Sequence, residues 1–161
     1  MKRSRFLLAA ALLPVLAAPA PAQVQSAPEK AVMAVVARLF DGMRAGDSAM
    51  ARSAFDAMAQ LVSVSPPDSS GLHHVSVSPV DGFLAAIGTP HPDVWDERIF
   101  DTDVRVDGGL ASVWTKYAFY RGETFNHCGV DVIELALRPE GWKIIHVADT
   151  RRTANCWKAP R

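Results

Sequence analysis

Between Val32 and Met43 the apolar residues fall at Val32, Val35, Val36, Leu39, Phe40 and Met43. This three-and-four spacing predicts a helix that buries one face. Ser26 stands before it as an N-cap, with Pro28 in the first turn and Glu29 at the capping-box position, and Gly46 ends it. Asp47 caps a short second helix through about Ala54. The runs "QLVSVS" (60–65) and "HHVSVS" (73–78) then alternate apolar and polar residues as strands do, with "PPDSSG" as the turn between them. A third short helix, "PVDGFLAAIG", opens at Ser78-Pro79 and closes at Gly88, followed by the rigid loop "TPHPD".

Further on, the pattern changes. "ERIFDTDVRVD", "LASVWTKYAFYR", "NHCGVDVIELALR" and "WKIIHVADTR" are four long strand-like runs, separated by hairpin signals at 108–109, 122–123 and 139–141. Helices first and a meander of strands afterwards predict an α+β layer architecture rather than βαβ units. Such a sheet buries one face under the helices, and strong curvature leaves a hollow between the two.

The N-terminus has a different character. Lys2, Arg3 and Arg5 precede the apolar run "FLLAAALLPVLAA", and Ala20-Pro21-Ala22 offers a cleavage site. This is the make-up of a signal peptide cut after Ala22, so export to the periplasm or beyond is expected. The apolar run is short and broken by Pro14, so no stable membrane anchor is expected. Cleavage leaves 139 of 161 residues, one domain's worth, and lowers Lys+Arg from 17 to 14 against 17 Asp+Glu, a net charge of −3. With no basic patch, nucleic acid is a poor partner. The expected division is a signal peptide (1–22), a flexible lead-in (23–30), a single domain (31–156) and a tail (157–161).

The segments "FDGMRAGD", Trp95-x-Glu97, "VDGGLASVWTKYAFY" and "HCGVDVIELALRPEGWKIIHVADTRRTANC" occur in that order from about Ala31 to Cys156. In this the chain resembles the nuclear transport factor 2-like superfamily, in particular its SnoaL-like, lumazine-binding-like bacterial branch. The resemblance implies a cone-shaped, curved, mixed or antiparallel sheet wrapped around three N-terminal helices. It also implies a pocket at the open end and a homodimer through the outer sheet face. Isomerases, dehydratases, cyclases and plain binders share that fold, so the fold does not deliver the function.

Chemistry concentrates in "FNHCGVD" (125–131). Cys128 could be a disulfide half, a thiol nucleophile beside His127, or a metal ligand. Cys128 and Cys156 are the only two cysteines, an even count that suits a disulfide in an oxidising compartment. If Pro139-Glu140 forms a two-residue turn, Cys128 falls opposite Arg151, five residues before Cys156, within reach of a bridge.

The same regular register puts Asp131, Ile133, Leu135 and Leu137 on one face with Trp142, Ile144, His146 and Ala148. Asp149 and Arg151 go to the outer face as an ion pair or dimer contact. A three-residue "GET" loop brings Thr115 and Tyr117 to the inner face and turns Lys116 outward; a two-residue loop would bury Trp114 and Lys116 instead. Asp131 and His146 then form a candidate general acid/base pair in a pocket with Tyr117, Thr115, His127, Ile133 and Trp142. The alternative is that they are a satisfied core pair. Glu97 is expected to pair with Arg151 or Arg152, and His73 and His74 point to opposite faces.

No phosphate-cradling loop, nucleophile elbow or metal-ligand set appears, so no cofactor and no metal are expected. Three functions follow as expectations. The first is a binder of a small apolar or aromatic molecule. The second is a cofactor-independent isomerase, dehydratase or hydrolase, and the third is a dimeric interaction module.

Overall fold

The structure is a computed structural model that describes residues 25–157. The expected signal peptide and most of the tail lie outside the described residues. Helix α1 (Ala27–Ala45) begins at its capping box, where Glu29 accepts from the Ser26 backbone at 2.6 Å. It therefore starts inside the stretch expected as a lead-in, and Gly46 ends it in the left-handed conformation. Helix α2 (Ser48–Ala54) follows after two residues, Gly46 and Asp47. Gly42 makes that tight return feasible: a Cβ there would stand 2.6 Å from the Ala51 backbone nitrogen.

Six strands form one sheet: β1 (Phe55–Val64), β2 (Val75–Pro79), β3 (Trp95–Asp107), β4 (Leu110–Arg121), β5 (Thr124–Arg138) and β6 (Gly141–Thr150). Helix α3 (Val80–Gly88) lies between β2 and β3 in the chain. The spatial order is β2-β1-β6-β5-β4-β3, with β1 and β6 parallel and every other pair antiparallel. The sheet is curved and unclosed, and its inner face packs on the helices. Val32, Val36 and Leu39 of α1, Leu84 and Ile87 of α3, and Val113, Ile133, Leu135 and Ile144 of the sheet make the core.

Besides the break in the β1–β6 pairing between Phe55 and Gln60, three irregularities lie along the strands. β3 shifts register between Phe100 and Asp103, where Asp101 adopts a positive φ of 51°. β5 shifts at Asn126, and β6 at Ile145. Each inserts one unpaired residue, and such bulges bend a strand and sharpen its twist. The turn between β4 and β5 is also a correction: Arg121 pairs with Thr124, so the loop has two residues, not three. The bulge at Asn126 then restores the expected facing, with Thr115 opposite Asp131 and Tyr117 opposite Gly129.

Cys128 and Cys156 form the disulfide, with Cα atoms 5.9 Å apart. Cys128 lies on the outer face, and its backbone exchanges two 2.9 Å hydrogen bonds with Arg152. The chain after β6 is thus fastened back over β5, with Trp157 stacked on the Arg152 guanidinium at 4.2 Å.

Candidate functional site

The β5–β6 hairpin decides which side chains enter the hollow. From the turn, Arg138 pairs with Gly141, Leu137 with Trp142 and Leu135 with Ile144, as regular pairing predicts. Beyond the Ile145 bulge the partners become Glu134–His146, Ile133–Val147 and Asp131–Asp149. Side-chain parity along β6 is therefore reversed. His146 faces outward, 3.5 Å from Glu134, and does not meet Asp131. Asp149 and Arg151, expected on the outer face, turn inward instead.

The doublet Ile144-Ile145 was the available signal. Alternation fails there, and an unpaired Ile145 lets Ile144 and Val147 point inward while His146 points out.

The resulting cavity, of about 120 Å³, has two unlike walls. Leu39 of α1, Phe55 and Leu61 of β1, Phe83 of α3 and Val147 of β6 form an apolar wall. The rest of the lining is polar: Ser63, Glu97, Tyr117, Asp131, Asp149 and Arg151. A wider lobe of about 270 Å³ adjoins it, sharing Phe83, Glu97 and Arg151 and bordered by Trp95, Arg121 and His127.

Asp131 is 4% exposed, and among the described residues, leaving aside a proton shared with Glu97, no donor reaches its buried Oδ2. Its neighbour is Glu97, close enough for the two carboxyls to share a hydrogen bond, which requires one of them to hold a proton. Burial first, then the Glu97 charge, raises Asp131 well above the ordinary carboxylate range. Burial likewise raises Glu97 to about 7, opposed by the Asp131 hydrogen bond and by Arg151, and supported by the Asp149 charge. Two carboxyls in contact in a low-dielectric site cannot both ionise cheaply. The pair is a proton-sharing dyad.

The expected Glu97–arginine bridge is replaced by this dyad. Arg151 instead lies with Nε 3.7 Å from Asp149 Oδ2, and Ser63 donates to Asp149 Oδ1. Tyr117 is fully buried and donates to the Thr150 carbonyl at 3.0 Å. Burial, then the charges of Glu97, Asp149 and Asp131, hold its phenol protonated.

That contact depends on Gly129. A Cβ there would lie 1.7 Å from the Thr150 oxygen and 2.6 Å from the Tyr117 ring. The glycine lets the end of β6 cross inward, which carries Asp149 and Arg151 to the cavity.

The other expected pocket residues divide. His127 borders the wider lobe, packed 4.9 Å from the Phe119 ring, with Nδ1 2.8 Å from Asn126 Oδ1. Burial, and then the Arg151 charge, depress it to about 4, so it is neutral at pH 7. Thr115, Ile133 and Trp142 do not line the cavity. Thr115 is satisfied by Thr102 at 2.7 Å and the Phe100 carbonyl at 3.2 Å, while Ile133 and Trp142 belong to the core. Trp95 packs against His91 and Phe119 and also borders the wider lobe. Among the described residues, no group of three His, Cys, Asp or Glu side chains is arranged to hold a metal ion, and no helix is long and apolar enough to cross a membrane.

Several solved structures are similar in fold. A protein of unknown function from Shewanella baltica shares 17% identity over 78% of this chain and 94% of its own, with a TM-score of 0.58. A protein with a cystatin-like fold from Novosphingobium aromaticivorans shares 13% over 80% and 84%, with a TM-score of 0.62. A protein from Shewanella frigidimarina described as a "putative ketosteroid isomerase" shares 16% over 76% and 97%, with a TM-score of 0.55. The first two are described as nuclear transport factor 2-like. No curated protein matches the sequence. The family model "Putative lumazine-binding" matches residues 27–148, from the first turn of α1 to the inward end of β6, and the chain belongs to that family, within the nuclear transport factor 2-like fold.

Proposed function

We propose that the chain is an exported small-molecule-binding domain whose ligand occupies the cavity between α1, α3 and the β5–β6 mouth. The observation that carries this reading is Asp131 Oδ2, buried in the cavity wall with no donor among the described residues beyond the proton shared with Glu97. An unsatisfied buried acceptor destabilises a fold, and a ligand that supplies the missing partner offsets the cost. The family's description, which names lumazine, supports small-molecule binding in general. The two-walled lining departs from the mainly apolar pocket expected from sequence, and a ligand with an apolar body and one polar end matches it better. The disulfide and the N-terminal leader composition support export. Exposed Leu110 and Trp114 on the outer sheet face support a homodimer.

The test is native mass spectrometry of the protein from its own host, before and after denaturation. A bound mass released on unfolding, and missing from a cavity-filling Leu61→Trp variant, is the expected result. A ligand-free mass from both proteins, with no small molecule later found to bind, would remove the reading.

The dyad favours one second reading, acid–base catalysis on the bound molecule. A carboxyl raised to about 7 exchanges a proton readily at neutral pH. Glu97 and Asp131 would then be the acid/base pair, in place of the expected Asp131 and His146. Glu97→Gln would abolish turnover of the ligand even at saturating concentration.

A further inference from the structure

The acid and base groups around the cavity do not balance. Glu97 from β3, Asp131 from β5 and Asp149 from β6 bring three carboxyls to one wall. Arg151 is the only lysine or arginine in that lining, and it lies beside Asp149. At 3.7 Å that is an ion pair without a hydrogen bond, while the hydroxyl donors of the lining are committed. Ser63 donates to Asp149 and Tyr117 to Thr150. The helices contribute only Leu39 and Phe83 to this lining, which donate nothing. Leaving aside the proton shared with Glu97, Asp131 Oδ2, on a side chain 4% exposed, has no donor among the described residues, and neither has Asp149 Oδ2.

From this we propose, resting on the binding reading above, that the ligand is a monocationic amine with a small apolar body, its ammonium group held between Asp131 and Glu97. An ammonium brings three donors and the missing positive charge to the same point. The apolar wall of Leu39, Phe55, Leu61, Phe83 and Val147 would take the hydrocarbon. A cavity of about 120 Å³ approaches the ~150 Å³ that accepts a benzene ring, and the adjoining lobe gives further room. An anion would meet three carboxyls. A neutral ligand would leave their charge unbalanced whenever the dyad ionises.

Proton linkage makes the proposal measurable. The free dyad holds a proton near neutrality, and an incoming ammonium displaces it. The charged or titratable groups facing the dyad are Asp149, Arg151 and Tyr117, with Arg121 and His127 on the border of the adjoining lobe. Tyr117 stays protonated and His127 neutral through the neutral range. Amine affinity should therefore rise with pH up to about 7 and flatten above it.

The experiment titrates the disulfide-bonded protein with benzylamine, benzyl alcohol and benzoate by calorimetry at pH 6 and pH 8. Benzylamine should bind at least about tenfold more tightly than benzyl alcohol at pH 8, the scale of one charge-assisted hydrogen bond. Its affinity should drop severalfold at pH 6, and Asp131→Asn or Glu97→Gln should erase its advantage over the alcohol. Benzyl alcohol or benzoate binding as tightly as benzylamine would overturn the amine proposal and leave the binding reading standing. If none of the three binds at millimolar concentration, both readings fall.

Discussion

The two halves of the β5–β6 hairpin are built from the same strands and differ in almost everything else. Near the turn, Leu135, Ile144 and Trp142 pair regularly and pack into a closed apolar core. Past the Ile145 bulge, Asp131, Asp149 and Arg151 surround a cavity with two carboxyl oxygens, Asp131 Oδ2 and Asp149 Oδ2, that no N–H or alcohol donor of the described residues reaches. One half spends its buried surface on stability, and the other holds polar groups that a stability argument alone would remove. The difference separates what folds the domain from what equips it.

That contrast can be broken most severely at its hinge. Gly129→Ala should destabilise the protein by about 3 kcal/mol in urea denaturation, because a Cβ overlaps the Thr150 carbonyl. Survival without loss would mean that the end of β6 does not cross inward. Next, Leu135→Ala in the closed half should cost about 3 kcal/mol at any pH.

Asp131→Asn in the open half should instead change how stability depends on pH. Asp131 and Glu97 hold protons more tightly in the folded chain than in the unfolded one. Their contribution is therefore complete below about pH 4 and is lost as pH rises through about 7. Wild-type stability should fall by roughly 2 kcal/mol across that window, and the asparagine variant should flatten the fall. The smallest effect should come from His146→Ala. That change should move stability by less than about 0.5 kcal/mol and leave ligand binding alone, since a half-buried pair with Glu134 at 3.5 Å on the outer face contributes little.

The helices, the strands and two of the three hairpin turns were legible because local chemistry writes them; the β4–β5 turn was read one residue too long. The Ser26–Glu29 box, Gly46, Asp47 and the hairpin turn at 139–140 each act within a few residues. The disulfide was legible too, because its estimate needed only rough proximity. The site was legible in part. Asp131 and Tyr117 were placed on the correct face, whereas His146, Asp149 and Arg151 were placed on the wrong one. A single unpaired residue caused all three errors, since facing is a cumulative property of everything between a residue and its turn. Glu97 was noticed but given an arginine for a partner. Its actual neighbour lies two strands away in the sheet, beyond what spacing along the chain can report.

The Ile145 bulge also bears on how relatives should be lined up with this chain. Counted from the hairpin turn, the third position after Trp142 is an extra one. A relative lacking it would keep the same inward groups only if its strand were shorter by one residue. A relative of equal length and regular pairing would present the counterparts of His146 and Ala148 to its cavity, exchanging a carboxylate for an imidazole without any substitution. Divergence of chemistry in such a family can thus be a matter of phase rather than of residue identity, invisible to a column-by-column comparison.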